Sequence, residues 1–188
     1  MRKAFNQPLR LALSLGTAMF CIGCTVQFPQ AQSEQTAAEP PQPRLSTPLK
    51  AAIEELRVLR IKVEGGVSQK EYGEDITDLV NIVNKGYGDS NVLAAVKSAL
   101  KGHQLAIAFW TCDRSVGYNE LHQCQDKVLK RVFTKYPDIE AQVKAAVAGE
   151  NLPFISAGLD KDAVLQAIWI KTGEDTEEVL QLVNQPLQ

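Results

Sequence analysis

Residues 91–110 constrain the fold more than any other stretch, because they carry two different stripes at one helical period. Val92, Val96, Leu100, His103, Ile107 and Trp110 recur at steps of three and four residues, and beside them run Ala95, Ala99, Gly102 and Ala106, all small. Apolar residues at such steps mark one face of a helix. A helix with a single apolar stripe lies on a core, whereas a bulky stripe beside a small one calls for neighbours on two sides. The small stripe lets one neighbour approach at the close end of the usual ~8–10 Å axial spacing. The expectation is an all-α fold: an antiparallel bundle of about six to seven helices packed around this central one.

Start and stop signals place the other helices. Thr47-Pro48 combines an N-cap hydroxyl with proline at the first helical position. Leu49, Ile53, Leu56, Leu59 and Val63 then mark a buried face until Gly65-Gly66. Ser68 and Glu71 form a capping box, opening a helix that buries Tyr72, Ile76, Leu79 and Val83 and closes at Gly86 and Gly88. Asp89 or Ser90 caps the central helix. After a connection over Thr111–Tyr118, a fourth helix begins near Asn119 with Leu121, Cys124, Val128 and Val132 on one side. Its basic end (Lys127, Lys130, Arg131, Lys135) complements the helix dipole. Pro137 breaks it and starts another helix over Asp138–Val147, closed by Gly149. Asn151–Gly158 reads as an apolar connector across the core. Asp160 caps a helix with Leu165, Ile168 and Trp169 that ends at Gly173, and Asp175-Thr176-Glu177-Glu178 opens a final short one with Val179, Leu182 and Val183. No alternating run suggests a strand. The helical domain is therefore 47–188, with 149–188 its less strongly patterned part. Gly66-Val67-Ser68 and Glu71-Tyr72 between two helices, with a third ending at Trp110, resemble a pattern in uncharacterised exported bacterial helical proteins. That resemblance implies no activity.

Residues 1–24 read as an export signal. Arg2, Lys3 and Arg10 make a positive start, and Leu11–Gly23 is an apolar run too short for the ~20 residues of a membrane-spanning helix. Ile22-Gly23-Cys24 resembles the lipobox of bacterial lipoproteins, although Cys21 stands where leucine is usual. The resemblance implies cleavage before Cys24 and lipidation of that cysteine, giving a protein anchored to a membrane on the periplasmic side of a bacterial envelope. Thr25 in place of an aspartate leans towards the outer membrane. The alternative is ordinary secretion, with cleavage near Ala31-Gln32-Ser33. Residues 25–46 hold Pro29, Pro40, Pro41, Pro43 and five glutamines, too polar to offset their ordering entropy. They read either as a tether with an end-to-end distance of ~25 Å or as a remnant without a role.

Cys112 and Cys124 flank the turn between the central and fourth helices. Export would place them where disulfides persist, and closing this loop would contribute roughly 3 kcal/mol in the loop-entropy model. A redox pair would be spaced C-x-x-C, and zinc would need more ligands than His103 and His122 can add, so a structural disulfide is expected and no metal site. Removing residues 1–24 leaves 17 basic against 22 acidic residues, a poor balance for nucleic acid.

No catalytic motif is present: no G-x-S-x-G, H-E-x-x-H, P-loop, G-x-G-x-x-G or haem-attachment C-x-x-C-H. Neither an enzyme nor a cofactor is expected. Two functions remain. One is a non-enzymatic module that binds another envelope protein, with the acid-rich segment 160–188 as its contact surface. The other is a small-molecule binder with an apolar pocket at His103, Trp110 and Trp169, since bundles build ligand sites between helices. Each of those three residues also has a plain account as core.

Overall fold

Ser46 starts the domain, one residue before the expected cap. Its hydroxyl accepts from the Leu49 N–H (3.3 Å) and from the Tyr87 N–H (3.0 Å), so it caps the first helix and ties it to the turn after the second. Pro48 falls within the first turn, where no N–H is missed. The computed structural model describes residues 45–184; Cys24, the leader and the tether up to residue 44 lie outside them. Leu45 and Ser46, assigned to the tether by composition, belong to the domain instead: Leu45 packs on the core and Ser46 is buried.

Six α-helices follow: α1 (Thr47–Gly65), α2 (Gln69–Val83), α3 (Ser90–Thr111), α4 (Tyr118–Lys135), α5 (Pro137–Ala146) and α6 (Lys161–Asn184). Two short 3-10 turns, Cys112–Arg114 and Ile155–Gly158, join them, and there is no strand among the described residues. Residues 45–184 form an all-helical bundle. None of its described helices is long and apolar enough to cross a membrane.

Both stripes of α3 are covered. Val92, Val96, Leu100 and His103 are buried on one, Ala99, Gly102 and Ala106 on the other. Gly73 of α2 lies against Ile107, and Tyr72 of α2 bonds His103, so the bulky flank faces α2. The small flank takes α6, the helix that runs closest along α3. A Cβ on Gly102 would collide with the Tyr136 hydroxyl and approach Thr172 Oγ1 to 2.5 Å. Leu105 and Phe109 are fully buried as well and belong to neither expected stripe.

The end of the chain corrects the expectation of two helices. α6 runs unbroken through Gly173, giving six helices among the described residues, within the expected six to seven. Glycine in a helix costs about 1 kcal/mol relative to alanine, and that is outweighed by packing. Ile168, Thr172, Thr176 and Val179 are all buried, one per turn, on both sides of the glycine. The buried threonines satisfy themselves within the helix: Thr172 Oγ1 donates to the Ile168 carbonyl and Thr176 Oγ1 to the Thr172 carbonyl. The connector 151–158 does not cross the core. It lies along α4, where Asp126 accepts from the backbone N–H groups of Ile155 (3.1 Å) and Ser156 (2.9 Å).

Cys112 and Cys124 are disulfide-bonded, with Cα atoms 5.6 Å apart, inside the usual 4.4–6.8 Å range. The bond joins the 3-10 turn that follows α3 to the second turn of α4, as their spacing in the sequence suggests.

Candidate functional site

Between α1 and α6 lies a half-open cleft of about 480 Å³, in the ~300–1,000 Å³ range of ligand pockets. α1 supplies Arg60, Val63 and Glu64; α6 supplies Gln166, Trp169, Ile170, Gly173, Glu174 and Glu177; His103 of α3 closes the floor. A helical repeat explains the α6 wall. Residues 166, 169, 170, 173, 174 and 177 recur at three- and four-residue steps, beside the face of Ile168, Thr172 and Thr176 that packs on α3.

The floor is more polar than its composition suggests. His103 is 2% exposed, and its Nδ1 lies 2.8 Å from the Tyr72 hydroxyl. That buried phenol has no other acceptor for its proton among the described residues, so it donates to Nδ1 and the imidazole proton sits on Nε2. Burial drives the His103 pKa down to about 3, so the ring is neutral. Burial also raises the Tyr72 phenol, and the nearby Trp169 indole N–H offsets a little of that. The indole N–H does not reach hydrogen-bond geometry. Two buried donors on the lining, His103 Nε2 and Trp169 Nε1, therefore have no partner among the described residues. Native proteins leave few such groups, and each calls for an explanation.

His103, Trp110 and Trp169 do come together as the sequence suggests, but Trp110 does not line the space. It stands behind Trp169, edge to face at 5.4 Å, and touches Tyr72 at 6.2 Å between ring centroids. Its carbonyl accepts from the Gln69 side chain (2.8 Å). The physical reason is its position about two turns past His103 on α3: it braces the wall that Trp169 presents. Tyr72, expected on the buried face of α2, is the residue that orients His103.

At the rim Arg60 donates to Glu64 (3.0 Å) on its own helix and to Glu177 across the cleft. These two carboxylates raise the guanidinium's pKa, Glu64 first. All three are at least a third exposed, so the link contributes little to stability, in the ~0–1 kcal/mol range.

Two other polar clusters were not legible in the sequence, because the bonds that make them join residues 29 or more apart. Lys135 Nζ donates to Asp175 (2.9 Å) and Ser98 (2.7 Å), and the Tyr136 hydroxyl donates to Asp175 (2.6 Å). Burial and Asp175 together raise the Tyr136 phenol. An ammonium that donates to both partners has no lone pair to take a serine proton, so this cluster locks α4 to α6. His122 Nδ1 meets Ser156 Oγ at 2.9 Å, but Asp126 is spent on backbone N–H groups and does not orient the imidazole. A nucleophilic serine needs that third group. Phe154 stacks on His122 instead, and the cluster clamps the connector to α4. No three His, Cys, Asp or Glu side chains among the described residues are grouped to hold a metal ion.

Comparison with models of known families, with curated proteins and with solved structures finds no match for this chain.

Proposed function

We propose that residues 45–184 form a binding domain which takes a small molecule in the α1–α6 cleft, held at a bacterial envelope by a lipid on Cys24. The single observation that carries the binding reading is the cleft floor, where an aromatic wall meets a buried histidine donor without a partner. Apolar walls with a few polar groups at fixed positions are the general make-up of small-molecule sites. The envelope part rests on the leader and on Ile22-Gly23-Cys24.

Two experiments test it. A fragment screen read by the fluorescence of the two tryptophans should yield ligands that lose binding in Gly173→Leu, where the new side chain fills the cleft. Hits that bind the variant equally well would sink the cleft as the site. Mass spectrometry of the mature N-terminus should find a lipidated Cys24; an unmodified peptide starting near Glu34 would remove the anchor.

Docking of another envelope protein is supported by a different feature. Val116 (90% exposed), Tyr118 (59%) and Ile155 (41%) are apolar side chains in water, at the end where Tyr118 meets Phe154. The acid-rich segment is a poorer docking surface than its charge suggests. Asp160 caps α6, and Glu174, Asp175 and Glu177 are paired with Lys171, Lys135 and Arg60. Pull-down from envelope extracts with Val116→Asp and Tyr118→Asp, against Glu178→Lys, separates the two surfaces.

A further inference from the structure

We propose that the ligand of the α1–α6 cleft enters with an uncharged carbonyl group, that of a ketone, amide or lactam, whose oxygen accepts a hydrogen bond from His103 Nε2–H. This rests on the cleft being a binding site and adds the chemistry of what it takes.

The polarity of the floor follows from Tyr72. Its hydroxyl proton occupies His103 Nδ1, which leaves Nε2 a donor and not an acceptor. The second partnerless nitrogen, Trp169 Nε1, is a donor by its chemistry. The indole N–H lies by the Tyr72 hydroxyl, so His103 Nε2–H is the floor group that asks for an acceptor, and a carbonyl oxygen supplies one. A hydrocarbon would leave the imidazole N–H unpaired and forgo the gain that pairing a buried donor brings.

Charge argues against an anion. The imidazole is neutral, so it offers a hydrogen bond but no counter-charge. The rim carries Glu64, Glu174 and Glu177 against Arg60, and Arg60 is already engaged by two of them. A carboxylate would lose its hydration on entry and find Arg60 and Lys171 at the rim already paired with glutamates. The body of the ligand is apolar, because Val63, Ile170 and the Trp169 ring form the remaining walls.

His103 Nε2 is buried from water, so the bond requires the floor to give. Gly173 supplies the room. It follows Trp169 by one helical turn, and a Cβ there would meet nothing within 4 Å. A side chain at that position would lie over Trp169, since helical side chains lean towards the preceding turn.

The test is a titration of the isotope-labelled full chain with three probes of one shape: acetophenone, ethylbenzene and benzoate. The readouts are the His103 Nε2–H and the two indole N–H signals. Acetophenone is expected to bind about tenfold more tightly than ethylbenzene and more tightly than benzoate, with the His103 signal moving on binding. In the double variant Tyr72→Phe with His103→Phe, which removes both halves of the buried hydrogen bond, ethylbenzene should still bind and the ketone's advantage should vanish. Ethylbenzene equal to acetophenone in the natural chain would overturn the carbonyl and leave the cleft as a binding site. Benzoate binding best would overturn it likewise. Indole signals unmoved by all three probes at saturation would overturn the cleft itself.

Discussion

The two flanks of α3 solve the same packing problem in opposite ways. On the small flank Ala99, Gly102 and Ala106 let α6 and Tyr136 come so close that not even a methyl group fits at 102. On the bulky flank His103 reaches α2 and stops short of filling the angle between α1 and α6, which leaves the cleft. Small side chains bring helix axes together and remove space; large ones hold them apart and leave some wherever shapes do not interlock. The same two helices, α3 and α6, thus contribute to a tight seam and to the cleft. A binding site arises where the second solution has been taken.

His103 offers the largest expected effect by which this contrast can be broken. Its folded pKa of about 3 lies below the ordinary 6.5, so between those values the unfolded chain binds a proton that the folded chain does not. Stability should therefore fall as pH falls below about 6.5, by roughly 1.4 kcal/mol per unit, or about 2.5 kcal/mol from pH 7.5 to 4.5. The lowered carboxyls of Glu54 and Asp138 act only nearer their own range, at 4.5 and 3.8 and below. Urea unfolding at stepped pH should show this slope in the natural chain and not in Tyr72→Phe with His103→Phe. An identical slope in both would mean that His103 is not buried as a neutral ring.

Gly102→Ala probes the seam. Thr172 is short, and the Tyr136 hydroxyl is held by Asp175, so neither can swing away from the added methyl. Overpacking should cost more than the ~1 kcal/mol that alanine adds to a helix, for a net loss of about 2 kcal/mol in urea unfolding.

Its counterpart on the cleft side carries the opposite sign. Gly173→Ala places a methyl in open space within a helix and should stabilise by about 0.5–1 kcal/mol, raising the melting temperature. Two glycines on facing helices that respond alike would erase the distinction between the flanks.

The smallest effect is expected at the rim. Arg60→Gln removes the bridge from α1 to Glu177 and should change stability by less than about 1 kcal/mol, because the pair is solvated. It should instead speed ligand exchange at the cleft mouth, which the probe titration would register as altered line shapes. A loss of several kcal/mol would mean that the bridge holds the two helices in place.

Much of the fold was legible one helix at a time. The capping box at Ser68 and Glu71, the apolar faces of α1 and α2 and the double stripe of α3 all rest on neighbours within one or two turns. The errors fall where local and tertiary preferences conflict. Gly173 followed by Asp175-Thr176-Glu177-Glu178 is a plausible stop and restart, and only continuous burial of Ile168, Thr172, Thr176 and Val179 carries α6 through it. Thr47 and Ser46 are equivalent caps in sequence, and the extra bond to Tyr87 selects Ser46. In the candidate site, His103 and Trp169 were visible as bulky residues at helical spacing. Tyr72 as the partner of His103, and Trp110 as a brace, were not, since nothing in a one-dimensional pattern says which ring faces which.

By itself the sequence determined that this chain makes helices, roughly where each begins and ends, and that α3 has neighbours on both sides, because capping and periodicity act over a few residues. Tertiary structure alone decided that α6 is one helix, that a cleft lies between α1 and α6, and that Tyr72 spends its proton on His103. Those outcomes depend on side chains 31 or more residues apart meeting at contact distance, where the result is set by shape and by which donor finds an acceptor.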